Sequence, residues 1–501
     1  MKSFKANNIK INAITSIWVQ LGTIIQGLVI PRLLLSTFGS GINGLVSSIS
    51  QFLNFFTIIE GGVIGVILAS LYLPITNKDD KKMGAVLGAA NQFLKKLALL
   101  FVLYSVILGV IYPLINREFS WIFTFTLVLI ISITTFVQYY YTIIPQLVVR
   151  ADNKIYIYNS ICLVFIVVNI IATIICIKIV PEIHVVKLIA ALVYLLQPIF
   201  LNLYVKKHYQ IKKDENADET VIKNRWSGLG ASIANLITTN TDVVLLTLFS
   251  SLKIVSIYSV YYSVINSIRN FICSFGMGFQ SLLGQQIAKK NSKLLDYYFR
   301  QYEFLTYNIS GVVLSSCICL IVPFVMIYTK GINDANYRQP LFAILICVAQ
   351  YIICIREPYI QLTYSAGLFK ETQNIAFSEA IINIIISITL VFRYGIIGVA
   401  VGTVVSSLYR FVATAFFLRT HIIHRSLSPT IKKFFIYFSV MIIDCVIGWN
   451  ILPSNIEIYQ WIAYGAIIFI VCSVSHIVVS CMFYKDEFVS FLISLKSKKE
   501  N

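Results

Sequence analysis

The stretch VINSIRNFICSFGMGF, residues 264–279, raises the question that decides the fold. Arg269 has at least ten mostly apolar residues on either side. In a soluble helix it would turn to water; in a membrane helix it is too far from either interface to stretch there easily. The surrounding chain decides between the two. Its 501 residues are 58% hydrophobic and 12% charged, with mean hydropathy +0.81. A soluble protein of this size would expose far more charge. The composition therefore predicts an integral membrane protein.

A helix crossing roughly 30 Å of hydrocarbon needs about 20 residues. Fourteen apolar runs of that order are separated by polar punctuation: 12–34, 43–73, 86–113, 121–145, 155–177, 183–205, 227–250, 254–285, 302–329, 340–366, 372–392, 396–418, 434–451 and 459–484. The expected class is all-α and polytopic. Short alternating strands of the transmembrane-barrel kind are missing. The first run has no small-residue cleavage site after it and is too long for a signal peptide, so it is expected to be retained.

The 40 Lys and Arg set the orientation. With the N-terminus inside, the inner tails and loops carry 29 of them and the outer loops 7, which places both termini in the cytoplasm. This asymmetry accounts for most of the +18 net charge through contact with anionic headgroups, without nucleic acid.

The four remaining cations, Arg32, Arg269, Arg356 and Arg410, fall inside predicted spans, as do Glu60, Asp242, Glu357, Glu379 and Asp444. A charge at the bilayer centre costs about 2.5–3.5 kcal/mol on insertion scales, so such groups face a protein interior or a watery cavity. Arg32, near the outer end of its span, can snorkel. Arg410 is expected to reach lipid phosphate, and Glu379, near the start of span 11, to be interfacial. Asp444 reads as a structural polar contact. Arg269, Arg356, Glu60 and Asp242 lie mid-span, as cavity-lining groups or as internal ion pairs that only hold helices together. Arg356 and Glu357 are adjacent, point about 100° apart on a helix and need separate partners. Pro358 is expected to disturb the backbone beside them.

Other chemistry is sparse. The ten cysteines lie within spans as small apolar side chains, implying neither disulfides nor metal sites. His421 and His424, three apart in a basic loop, read as a solvated face rather than a metal site. No Walker A motif is present, so ATP hydrolysis is not expected. Catalysis is not expected either, because every outer loop is short.

The longest polar connection, KKHYQIKKDENADETVIKNRW (206–226), separates two hydrophobic halves. Six spans precede it, so the second half re-enters in the same orientation, as in parallel-repeat transporters. A shift of 212 pairs Ser47 with Ser259, Asn54 with Asn266 and Lys78 with Lys290, and in both halves the second span runs into a basic loop, ITNKDDKK or IAKKNSK. The expected organisation is a six-helix lobe at 1–205, a cytoplasmic linker at 206–226, a second six-helix lobe at 227–420, two further helices within 421–484 and a basic tail at 485–501.

Several stretches resemble a known family. VIPRLLLSTFGSGINGLVSSISQFL (29–53), IIEGGVIGVILASLYLPITNKDDKKMG (58–84), FTLVLIISITTFVQYYYTIIPQLVVRADNKIYI (125–157) and GIIGVAVGTVVSSLYR (395–410) are similar to polysaccharide-repeat flippases of the multidrug/oligosaccharidyl-lipid/polysaccharide (MOP) exporter superfamily. The resemblance implies a fourteen-helix flippase of the bacterial plasma membrane, carrying undecaprenyl-pyrophosphate-linked oligosaccharide for capsule, exopolysaccharide or O-antigen assembly. It also implies neighbours in the same pathway, glycosyltransferases and a polymerase, and a chain acting as a monomer.

A pyrophosphate and a sugar chain cannot cross hydrocarbon unaided. Two lobes can enclose that headgroup in a water-filled cavity while the polyprenyl tail stays in lipid. Guanidinium suits the pyrophosphate, being always charged and forked. Related lipid-linked peptidoglycan-precursor flippases are similar in placing arginines in spans 1, 2 and 8; Arg32 and Arg269 map to spans 1 and 8, while span 2 departs with Glu60, leaving Arg356 as a substitute. Tyr139, Tyr140, Tyr141, Tyr258, Tyr261 and Tyr262 either stack on sugar or pack. Asp242 and Glu60 are proton or sodium sites by this reading, with membrane potential an equal alternative for energy coupling; no other cofactor is implied. The competing expectations are a peptidoglycan-precursor flippase, a drug or cation antiporter, and a membrane-embedded polysaccharide polymerase.

Overall fold

A computed structural model describes residues 2–77, 79–209, 229–274, 276–423, 425–453 and 456–497. The linker expected at 206–226 and His424 thus lie largely or wholly outside the described residues. So do the side chains of 58–63, including that of Glu60.

Among the described residues all regular structure is helical, and the chain divides into two compact units, Met1–Leu236 and Ile237–Asn501. The first holds α1 (Lys2–Asn54), α2 (Ile58–Asn77), α3 (Asp80–Ile115), α4 (Trp121–Val137), α5 (Ile143–Ala151), α6 (Ile155–Ile179) and α7 (Ile183–His208). α8 (Leu229–Phe249) runs across the division. The second holds α9 (Leu252–Ser274), α10 (Gly276–Ala288), α11 (Ser292–Tyr328), α12 (Pro340–Ser365), α13 (Phe369–Tyr394), α14 (Ile396–His421), α15 (Ser428–Ile451), α16 (Ile458–Phe483) and α17 (Lys485–Ser497).

Eleven helical segments among the described residues are long and apolar enough to cross a membrane, with shorter apolar stretches at Val66–Asn77 and Thr239–Phe249. The count covers described residues only, and the runs expected at 43–73, 227–250 and 254–285 each contain positions or side chains outside them. Spans 1 and 2 join through Gly39 alone, whose φ of 80° and ψ of 178° turn the chain without a loop. Span 2 is broken again by a 3-10 turn at Phe55–Thr57, and span 8 is described on either side of position 275 as α9 and α10. Asp79 and Asn291, 212 positions apart, each cap the long helix that follows, accepting from Lys82 N at 3.0 Å and Leu294 N at 3.1 Å. Contrary to the expectation at Pro358, α12 continues through it.

Within the first unit α1 packs along α6, α6 on α7, and α3 on α4; within the second, α13 lies on α14, α14 on α12, and α15 and α16 both lean on α11. The outward faces are apolar: Leu99, Leu103, Val106, Val110 and Leu114 form an exposed stripe on α3. In lipid such a face meets its own kind of solvent, so burial drives little of the association and close backbone approach matters more. Gly398 and Gly402, one turn apart on α14, supply that approach. A Cβ on them would lie 2.6 Å from the Leu390 backbone and 2.1 Å from Ser387 Oγ on α13.

Candidate functional site

The predicted mid-span charges separate into four environments. Arg356 on α12 binds Glu379 on α13, and the other Glu379 oxygen accepts from Arg410 Nη1 of α14 at 2.6 Å. Exposure is 7% for Arg356, 0% for Glu379 and 5% for Arg410. Two expectations are corrected here. Glu379 is not interfacial, because α13 begins ten residues earlier and α12 and α14 cover it; Arg410 does not reach lipid, because Glu379 holds it inside. Arg356 takes the internal ion pair, the alternative to its cavity-lining reading. Arg–Glu–Arg carries one excess positive charge, and the bonds to Glu379 tie three helices together.

Arg269 differs. It sits half-buried on α9, and its contacts are neutral: Gln350 Oε1 of α12 at 3.5 Å, Asn270 Oδ1 at 3.2 Å and the Tyr262 hydroxyl. Among the described residues it forms no ion pair. Its charge is therefore left for something outside this set of contacts.

A line of polar groups runs from Arg269 along α9. Tyr262 stacks on Tyr258, ring centroids 5.3 Å apart, and the Tyr258 hydroxyl donates to Asp242 Oδ2 of α8 at 3.0 Å. Thr403 Oγ1 on α14 donates to the same oxygen at 2.9 Å, and Asn383 Nδ2 of α13 reaches Thr403 Oγ1 at 3.3 Å. Asp242 is 3% exposed and no cation pairs with it among the described residues. Asp242 Oδ1, Asn383 Oδ1 and Ser387 Oγ are all buried without a partner. Asn383 and Ser387 are one turn apart on α13 and share a face. One carboxylate amid neutral oxygens suits a proton or a small hard monovalent cation, and Asp242, Asn383, Ser387 and Thr403 are the residues that fit it. No cluster of three or more His, Cys, Asp or Glu able to hold a metal occurs among the described residues.

The remaining predicted residues are scattered. Arg32 is half-buried on α1 directly after Pro31. Glu357 accepts from Gln361 Nε2 at 2.6 Å and is half-buried. Asp444 accepts from Ser475 Oγ at 2.7 Å and faces His476 Nδ1 at 3.3 Å, a polar contact between α15 and α16. Tyr139, in a π-helical turn at Gln138–Thr142, packs against Phe56 and Phe101, and Tyr261 donates to the Tyr337 carbonyl at 2.7 Å, so both are core. Sequence reasoning missed Glu303 entirely. It is fully buried on α11, where Arg425 Nη2 donates to both of its oxygens at 2.9 Å, Tyr359 donates to Oε1, and Lys433 Nζ lies 3.6 Å away. Its position two residues inside span 9, facing a basic loop, was the available signal.

No family model and no curated protein sequence matches the chain. Among solved structures it is similar to a lipid II flippase, MurJ, in an inward closed conformation, with TM-score 0.73 and 15% identity over 95% of this chain and 99% of that one. It is also similar to a MATE transporter of Vibrio cholerae, VcmN (0.53, 12%, 83% and 98%), and to a eukaryotic MATE transporter, AtDTX14 (0.55, 15%, 83% and 96%). At these identities the likeness is one of fold: the chain has the MOP exporter architecture.

Proposed function

We propose that this chain is a flippase that moves undecaprenyl-pyrophosphate-linked oligosaccharide from the inner to the outer leaflet of the bacterial plasma membrane by alternating access, serving capsule, exopolysaccharide or O-antigen assembly. The observation that carries the reading is Arg269, a guanidinium within the apolar part of a membrane helix whose contacts among the described residues are all neutral. A cation kept there without a carboxylate suits an anionic cargo, and the fork of N–H donors matches pyrophosphate oxygens. Arg32 is assigned a supporting place on the pyrophosphate. Arg356 belongs to the Glu379 triad and is assigned to structure.

Energy enters, in this reading, through Asp242. Loading it with a proton or Na+ alters the acceptor that Tyr258 binds, and Tyr258 stacks on Tyr262 beside Arg269. The polymerase and glycosyltransferases of the same pathway are the proposed partners. A drug or cation antiporter is the second reading, favoured by Asp242 as a buried carboxylate that pairs with no cation among the described residues.

The test is translocation of a polyprenyl-pyrophosphate-linked oligosaccharide in proteoliposomes. Arg269→Ala should lower the rate by at least tenfold at unchanged protein level, and Arg269→Lys should recover part of it. Full activity in Arg269→Ala contradicts the proposal.

A further inference from the structure

At the end of the second unit where α11 and α15 begin and α16 ends, a cavity of about 380 Å³ is lined by cations from three places. Arg300 comes from α11, Arg425 from the α14–α15 connection, and Lys432 and Lys433 from the first turns of α15, with Ser428 and Pro429 at the helix start. The carboxylates on the lining are Glu303 and Glu487, so the lining residues carry two more positive charges than negative. Glu303 is already satisfied by Arg425, Tyr359 and Lys433. Arg300 keeps Asp296 of its own helix at 2.8 Å. Lys433 is buried, its ammonium 5.2 Å from the Tyr484 ring centroid.

A second observation points to a ligand. The Tyr484 hydroxyl, also on the lining, is buried with no hydrogen-bond partner, which is unfavourable unless something accepts from it. α15 starts here without a side-chain cap, and its positive end adds to the field.

The surroundings choose among anions. Phe483, on the lining, is 53% exposed, and Met482 and Ile431 beside it are exposed too. α17 leaves α16 at Tyr484 and is amphipathic: Phe488 and Phe491 meet Phe304 of α11, Val489 and Ile493 stay exposed, and Gln301 of α11 donates to Ser490 Oγ at 2.9 Å. Such a helix lies in the headgroup plane. The cavity therefore sits at the depth of lipid phosphate with an apolar flank for acyl chains.

We infer that this cavity, built by Arg300, Arg425, Lys432, Lys433 and Tyr484, is a binding site for the phosphate of an anionic membrane lipid, apart from any transported cargo site. It stands whether or not the chain moves lipid-linked sugar. The phosphate can come from a bulk phospholipid or from a polyprenyl pyrophosphate, and the test separates them.

Purified full-length chain in detergent is titrated with phosphatidylglycerol, phosphatidylcholine or sugar-free undecaprenyl pyrophosphate and retained lipid is read by native mass spectrometry. Phosphatidylglycerol should be retained well above phosphatidylcholine. Arg300→Ala with Lys432→Ala, two exposed positions, should cut that retention about tenfold. Tyr484→Phe, which breaks no bond within the chain, should cut it by at least about tenfold, in line with one hydrogen bond to a charged acceptor, with melting in phosphatidylcholine unchanged. Undecaprenyl pyrophosphate displacing phosphatidylglycerol, and lost in the same variants, would name the pyrophosphate lipid as occupant; failure to displace would name the phospholipid. Equal retention of the two phospholipids, or undiminished phosphatidylglycerol retention in both variants, overturns the inference.

Discussion

Two buried charges predict opposite responses to mutation. Glu379 neutralises two guanidinium groups, so Glu379→Ala strands both and should cost about 3–5 kcal/mol. The combined replacement Arg356→Met, Glu379→Leu, Arg410→Met should melt at or above the wild-type temperature in detergent; a wild-type melt for Glu379→Ala alone would mean the triad does not form. Asp242 pairs with no cation among the described residues, so Asp242→Asn removes a charge that none of them balances. If Na+ binds there, raising Na+ to ten times its dissociation constant stabilises wild type by about 1.4 kcal/mol relative to K+, and Asp242→Asn should melt alike in both salts. Lack of a Na+ effect in wild type, with transport following a pH gradient, would assign the site to a proton. The sequence made such charges visible because hydrocarbon forbids them elsewhere. It did not reveal Asn383, Ser387 or Thr403, since neutral polar residues are common in membrane helices, and it misjudged Glu379 because depth was measured along the chain and not by what packs around the helix.

At the scale of elements, α13 and α14 meet through Gly398, against Leu390, and Gly402, against Ser387 and the Asn383 carbonyl, next to Thr403 of the Asp242 cluster. Gly402→Val forces α13 away. It should cost about 1–3 kcal/mol and weaken the cation response together with stability, whereas Val405→Ala, exposed on the same helix, should leave both unchanged. Loss of stability with a normal cation response would separate the packing from the site. Helix identity was legible from hydropathy, but not every interruption was. The turn at Gly39 falls in the gap expected between the first two runs, whereas a window of about 20 residues averages over the three-residue 3-10 turn at 55–57, so a continuous run was expected where the backbone changes there. Breaks of this kind carry polar backbone that must be satisfied inside protein, which marks the segments around Gly39 and Phe55–Thr57 as places where lipid is excluded.

For the whole molecule, hydropathy gives a polytopic all-α chain, and the MOP exporter architecture agrees with that class of fold; the charge asymmetry adds the expectation that the basic ends face the cytoplasm. The orientation is checked by alkaline-phosphatase fusions: active after Lys330, inactive after Lys290. The residues of the chain alone did not single out a cargo, because the proposed one, a lipid-linked sugar, would be recognised by a few cations and many neutral groups that sequence alone does not bring together. The most direct measurement is deletion of this chain in its host, followed by extraction and mass spectrometry of undecaprenyl-linked intermediates on each face of the plasma membrane. A complete repeat unit accumulating on the inner leaflet, with surface polymer lost and Arg269→Ala unable to restore it, is the predicted result. Repeat units still reaching the outer leaflet without this chain would contradict the account.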